Sequence, residues 1–324
     1  MSGAGDGWPK GPGRPIAAMD IGSNSIHLTL ARVFSDGRVD VMSQIKDPAR
    51  LAATLDARGQ MSEEGIERAV GTLLRFRKVA DQHNAEIRTA ATAAVRAARN
   101  ADVLLQRAAS EAGVRIEIVE GAEEARLVYV GVQNGLPRHA HERLLCVDVG
   151  GGSTELLLGH AGHVRAVASV PVGSVVVTRE HLETAASMRR AVTEARRVLE
   201  RRLAHCGDPL RRLGFDVAIA TGGSIQRIAR MAQAHATGDG RGDLNGHRLP
   251  VEQLGRVTRM LSNADSPGAR LRLPGIDPER SESLLGGALV FEALSQVLGI
   301  QAWTLSTAAL RLGLIVDTWR RRTP

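Results

Sequence analysis

The chain is poor in aromatic side chains. Only 2% of its 324 residues are Phe, Tyr or Trp, with one Tyr and four Phe. Proteins that grip single-stranded nucleic acid stack bases on aromatic platforms. This sequence has few to offer, which argues against sequence-specific nucleic-acid binding. Cysteine is almost as scarce. Cys146 and Cys206 make no CxxC, no zinc spacing and no disulfide framework. Cys146 lies in an apolar run and reads as a core thiol, and this usage fits a reducing cytoplasm. No uncharged run reaches the length of a membrane helix. The apolar stretch 16–33 is interrupted by Asp20, His27 and Arg32 and has no cleavable signal pattern. No membrane partner is therefore expected.

Several nucleotide and hydrolase spellings are missing too. There is no G-x-x-x-x-G-K-[ST] loop. After Gly150 and Gly152 the position a dinucleotide fingerprint needs as its last small residue is Glu155. No G-x-S-x-G elbow occurs, which disfavours a serine hydrolase. His139 and His141 share one short loop and read as a solvated pair.

What is present is positive charge. Lys plus Arg number 42 against 35 Asp plus Glu, a formal +7, and the excess is almost all arginine. Two explanations stay open: a polyanionic partner, or an arginine-rich composition without a purpose. Basic groups without stacking groups fit phosphate better than bases. The length allows two domains and a large core. With 43% hydrophobic and 24% charged residues, wholesale disorder is unexpected.

Residues 1–15, rich in Gly and Pro, read as a disordered leader. IAAMDIG is a buried strand ending in a turn, and HLTLARV a second strand. Residues 62–83 have helical period, with Ser62 as N-cap and Glu63 and Glu64 at the positive end of the dipole. EIRTAAT is a strand, a helix follows Asn100, RIEIVEG is a strand, and EEARLVYVGVQNG a helix. LLCVDVGGG is again a strand running into glycines, with two more strands after it. Residues 179–205 form a long arginine-rich helix. FDVAIATGGS is a third apolar strand ending in glycines, and helices dominate thereafter. This alternation is an α/β signature.

MDIGSNSIHLTLA and VDVGGGSTELLLG superimpose without a gap. Asp20 falls on Asp148, Gly22 on Gly150, Ser25 on Ser153 and Leu28 on Leu156. The duplication predicts two similar α/β lobes, each presenting one loop to a shared cleft, a common kind of ligand site. Successive backbone N–H groups at such turns make anion-binding nests. The candidate phosphate-binding residues are Gly22, Ser23, Asn24 and Ser25 in the first loop. In the second they are Gly150, Gly151, Gly152, Ser153 and Thr154. A third loop adds Thr221, Gly222, Gly223 and Ser224. An Asp at a strand end repels phosphate unless a cation lies between them. Asp20 and Asp148 therefore imply Mg²⁺ or a similar hard ion such as Mn²⁺, and Glu155 is near enough in sequence to add a carboxylate.

These segments resemble the exopolyphosphatase and guanosine pentaphosphate phosphohydrolase (Ppx/GppA) family, within the larger actin, sugar-kinase and Hsp70 ATPase fold. MDIGSNSIHL, TAATAAVRAARNAD, EGAEEARLVYVGV, VDVGGGSTELLLG, AIATGGSIQRIA, LPGIDPER, GGALV and AALRLGLI carry the likeness in family order, covering residues 16–315. The resemblance implies two actin-like (ribonuclease H-like) lobes, 16–133 and 134–324, with the last helix docking on the first lobe and a phosphate-binding cleft between the two. It implies Glu124 as the base that activates water, Asp148 and Glu155 as metal ligands with Asp20 facing them, and Arg96 at the attacked phosphate. It implies Arg280 as a holder of the polyphosphate chain and Arg50 as a further cleft residue. Residue 312 is Leu where the family commonly has Glu, the acidic residue after the PGI segment is shifted to Glu282, and Ala91-Thr92 replaces Gly-Thr.

The expected activity is release of orthophosphate from the end of inorganic polyphosphate, in short chains because the region beyond the two-lobe core is absent. Guanosine pentaphosphate hydrolysis, a non-catalytic tetra- or pentaphosphate sensor, and a kinase of the same fold remain alternatives. Glu124 speaks against the sensor, which needs no base. The arginine-rich helix either lines a polyphosphate path near Arg202 or presents a solvated face. Nothing in the sequence fixes an oligomeric state; a homodimer stands as an expectation.

Overall fold

A computed structural model describes residues 13–139, 141–264, 266–278 and 281–322. Among the described residues eleven strands form two mixed sheets. The chain divides into two compact units: the described residues up to Val119, joined by those from Arg311 onward, and Glu120–Leu310.

In the first unit the elements run β1 (Ile16–Ile21), β2 (Ile26–Val33), β3 (Val39–Asp47), α1 (Glu63–Gln82), β4 (Glu86–Ala91), α2 (Ala93–Ala97), α3 (Ala101–Glu111) and β5 (Ile116–Ile118). The sheet order is β3-β2-β1-β4-β5. β1 pairs antiparallel with β2 and parallel with β4. β1 is apolar on both faces because it is the central strand, buried almost throughout. Helix α1 begins where the cap signal put it: Ser62 Oγ accepts from Gly65 N at 3.2 Å. β3 escaped the sequence reading, since its alternation is mostly polar and it is an edge strand. Residues 13–15, read as part of a leader, are held. Arg14 Nε donates to Asn84 O and Glu86 N donates to Pro15 O. The rest of that segment lies outside the described residues.

The second unit contains α4 (Gly121–Gly135), β6 (Arg143–Val149), β7 (Thr154–His160), β8 (His163–Val170), α5 (Ser174–Val177), α6 (Met188–Leu213), β9 (Val217–Thr221), α7 (Gly223–Thr237), β10 (Arg248–Pro250), α8 (Val251–Asn263), α9 (Pro267–Leu271), α10 (Leu284–Leu298) and β11 (Ala302–Leu305). Its sheet order is β10-β11-β9-β6-β7-β8. β6 pairs antiparallel with β7 and parallel with β9, the same neighbourhood that β1 has. The duplicated segments thus fold into equivalent hairpins at the centres of two equivalent sheets. Apolar α10 is buried nearly all round, against α6, α7 and α8, with Phe291 set edge-on to Trp303 at 5.3 Å between centroids.

Two differences from the sequence reading have clear causes. Helix α4 packs on β6, β7 and β8 and so belongs with the second sheet, although the boundary at 133/134 assigned it to the first lobe. The arginine-rich segment is not one helix from 179. Helical turns at 174–182 give way to irregular chain, and α6 then runs from Met188 through Pro209 to Leu213. The last helix, α11 (Leu310–Arg322), packs on the first unit, where Arg88 Nη1 on β4 donates to Asp317 Oδ2 at 2.6 Å.

Candidate active site

The two duplicated turns close alike. Gly22 N donates to Ser25 O at 3.1 Å, and Gly150 N to Ser153 O at 2.9 Å. Their carbonyls are then taken by a later segment. Ser23 O accepts from Ala52 N and Asn24 O from Arg50 N; Gly150 O accepts from Ser174 N and Gly151 O from Val175 N. With carbonyls tied back, such a turn presents its amides. Those of Gly151 and Gly152 donate to no acceptor among the described residues. Two successive N–H groups without an acceptor at the end of a central strand have the donor arrangement that suits an anion.

Arg50, proposed from sequence only as a cleft residue, has a left-handed backbone, φ 48, at its contact with the first turn. A non-glycine residue in that region is uncommon and concentrates at functional sites. Arg96, on short α2 just after β4, donates from Nη1 to Val119 O at 2.6 Å.

Across the second sheet a polar row forms at the strand ends. Thr221 on β9 lies beside Asp148 on β6, Asp148 opposite Glu155 on β7, and Glu155 opposite Ser169 on β8. Cross-strand partners project to one face. Ser169 Oγ donates to Glu155 Oε1 at 2.9 Å. Ser169 also lies against Gly121 so closely that a Cβ there would collide with its side chain. This fixes the first turn of α4 beside the row. That turn carries Glu123 and Glu124. Glu123 is bound by the Arg126 fork at 2.7 and 2.8 Å, whereas Glu124 turns inward and is only 7% exposed.

The third loop closes the row from the β9 side. Gly222 has φ +92, and a Cβ there would lie 2.5 Å from Asp148 Oδ1. Helix α7 starts immediately after it, with Gly223 and Ser224 in the first turn. The first amides of a helix lack intrahelical acceptors and favour anions. Gly150–Thr154, Thr221–Ser224, Asp148, Glu155 and Glu124 therefore share one region of the second unit. Gly22–Ser25, Asp20, Arg50 and Arg96 share the equivalent end of the first sheet.

The equivalent row there reads differently. Asp20 stands opposite His27, and His27 opposite Lys46, with Ala90 on the other side. One carboxylate beside two basic side chains suits a cation less well than Asp148 with Glu155. Among the described residues no group of three or more His, Cys, Asp or Glu is placed to hold a metal. Two carboxylates remain a sufficient protein contribution for Mg²⁺, which keeps waters and takes substrate phosphate oxygens. The donor set fits.

Arg280 lies outside the described residues. Arg202 on α6 donates to Glu180 at 2.7 Å, and Arg196 and Arg197 are likewise paired with acids. Leu312 is half-buried in α11. Ser169 and the Gly173–Ser174 pair that ties back Gly150 were missed from sequence. A Gly-Ser step after an apolar strand was the one available signal for the latter.

A sequence model of the Ppx/GppA phosphatase family matches residues 31–322. Exopolyphosphatase 1 of Mycobacterium leprae is 31% identical over 303 residues, covering 93% of this chain and 88% of that protein. The guanosine-5'-triphosphate,3'-diphosphate pyrophosphatase of Vibrio parahaemolyticus is 32% identical over 306 residues, 93% of this chain and 58% of the relative. A Ppx/GppA crystal structure from Aquifex aeolicus superimposes with a TM-score of 0.81 at 25% identity, covering 96% and 99% of the two chains. With matched glycine turns on two α/β units and a match over nearly its whole length, the chain belongs to the Ppx/GppA phosphatase family.

Proposed function

We propose that the chain is an exopolyphosphatase that removes the terminal phosphate of inorganic polyphosphate, short chains in particular, and releases orthophosphate. The observation that carries this is the row Thr221–Asp148–Glu155–Ser169 with the unpaired Gly151 and Gly152 amides beside it. Phosphoryl transfer is catalysed mainly by positioning and by neutralising charge on the phosphoryl oxygens. Gly22–Ser25, Gly150–Thr154 and Thr221–Ser224 would hold phosphate through N–H and hydroxyl donors. Arg96 and Arg50 would contribute guanidinium charge, as would Arg280. Asp148 and Glu155, with Asp20 as a further ligand, would hold Mg²⁺ or Mn²⁺, which supplies charge neutralisation at the scissile phosphate. Glu124 would take a proton from the attacking water.

The Vibrio relative supports a second substrate, guanosine pentaphosphate. No helix of the described residues is long and apolar enough to cross a membrane. A cytoplasmic setting and a homodimeric assembly belong to the same proposal.

The test is phosphate release from short polyphosphate, long polyphosphate, guanosine pentaphosphate and ATP in parallel with Mg²⁺, for the native chain and Glu124→Gln. General-base loss predicts a fall of about 10²–10⁴-fold with binding retained. Equal turnover by the variant would remove Glu124 from the mechanism, and preference for ATP would sink the polyphosphate assignment.

A further inference from the structure

The first unit carries a second concentration of positive charge, at the opposite end of its sheet from the Gly22–Ser25 turn. A surface groove of about 470 Å³ opens where β4 and β5 begin, lined by Arg14, Arg77, Asp81, Glu86, Gly113 and Arg115 among others. The volume falls within the range of about 300–1,000 Å³ typical of small-ligand sites. Arg322 of α11 reaches the same place and pairs with Glu86.

The protein's own groups leave this charge incompletely answered. Arg77 is satisfied: its Nε donates to both Asp81 oxygens at 2.8 Å and its Nη1 to Gly113 O at 2.7 Å. Among the described residues Arg14 uses only Nε, on the carbonyl of Asn84. Arg115 is exposed and has no hydrogen-bond or ion-pair partner among the described residues. Among the described residues four guanidinium groups therefore face two carboxylates. Burial, and then the charge of Arg14, pull the Arg322 guanidinium below its ordinary value. Like charges crowded in this way are relieved by an anion.

We propose that this groove is an anion site for inorganic oligophosphate, bound by the free guanidinium donors of Arg14 and Arg115 and buttressed by Arg77 and Arg322. Planar forks match phosphate oxygens two at a time. The apolar lining consists of Ala85, Ile87 and Val114, without an aromatic ring. No described side chain there would stack a base, so the proposed ligand is a bare phosphate chain rather than a nucleotide. The site is separate from the proposed catalytic residues and does not depend on their roles. Its ligand is either a substrate end or a pyrophosphate-sized product.

Isothermal titration of the full chain with tripolyphosphate, pyrophosphate and GDP, in chelator without divalent ions, tests this. The expected result is a binding component that the Arg14→Gln/Arg115→Gln variant weakens at least about tenfold, and that Arg115→Lys, which keeps the charge but not the fork, weakens less than Arg115→Gln does. Tighter binding of tripolyphosphate than pyrophosphate marks the chain end as the ligand; the reverse marks the product. An Arg189→Gln/Arg190→Gln variant, two exposed arginines on α6, is the charge-matched control and should bind as the native chain does. Identical isotherms for native chain and Arg14/Arg115 variant, an equal loss in the control, or GDP binding as tightly as tripolyphosphate each overturns the proposal.

Discussion

Ser169 Oγ donates to Glu155 Oε1 at 2.9 Å, from the neighbouring strand and at the foot of the helix that carries Glu124. A hydroxyl there orients a carboxylate without competing for its charge. Ser169→Ala should lower Mn²⁺ affinity about 10–100-fold, the usual cost of losing a partner that orients a ligand. Thermal unfolding in chelator should be close to native. Unchanged Mn²⁺ binding would show that Ser169 is only a packing contact and would weaken Glu155 as a ligand.

This contact also marks where sequence reading stopped. The Asp148–Glu155 pairing follows from the tight turn between β6 and β7, and the Gly22/Gly150 match was legible because equal turns need equal spellings. Ser169 was not. Counting back from the turn at His160 and His163 sets Glu155 opposite Ala168. A bulge between Leu158 and Gly159 shifts the register by one and brings Ser169 into place. The two-sheet α/β fold was readable from buried apolar strands. The membership of α4 was not, because its apolar stripe does not name the sheet it covers; close tertiary contacts do, Gly121 against Ser169 and Tyr129 against Gly159.

Gly222 bears two constraints, a left-handed φ of +92 and the nearness of Asp148 Oδ1. Gly162 has a comparable φ, +82, but open space around it. Gly162→Ala should cost on the order of 1 kcal/mol from backbone strain alone. Gly222→Ala should cost more, up to about 3 kcal/mol, and also reduce phosphate release by displacing Asp148. Urea titrations of both variants separate strain from collision. Equal losses would mean that Asp148 yields freely.

Arg88 and Asp317 form a buried ion pair at 2.6 Å, each side chain only 10% exposed. Breaking such a pair leaves an uncompensated buried charge. Asp317→Asn should destabilise by about 3 kcal/mol, the low end for buried pairs because Arg88 keeps Glu117 at 3.3 Å. An Arg88→Met/Asp317→Leu variant should recover part of the loss. A single-variant cost below about 0.5 kcal/mol, the scale of an exposed pair, would show that the pair does not secure α11.

Asp216 is held by the side chain of Arg143, with a further bond from the Arg143 backbone N–H, and its carboxyl is lowered to about 2. The folded state therefore binds this proton less readily than the unfolded chain, whose Asp titrates near about 3.9. The stabilisation is complete above that value and disappears as pH falls toward 2. Asp216→Asn should flatten the acid-unfolding curve between pH about 4 and about 2 relative to the native chain. Superimposable curves would show that the pair does not persist in solution.

The docking of α11 bears on how the gene could be rearranged. The polypeptide passes between the units twice, after Val119 and after Leu310, and the first unit is sewn together from both ends of the chain. The described residues nearest the two ends converge at one spot: Pro15 O accepts from Glu86 N, and Arg322 pairs with the Glu86 carboxylate. Neighbouring ends are the condition that circular permutation needs. A permutant that opens between Val119 and Glu120 and splices the old ends with a short linker would encode each unit as one uninterrupted stretch, whereas cutting the native gene at that joint yields an N-terminal half deprived of its closing helix.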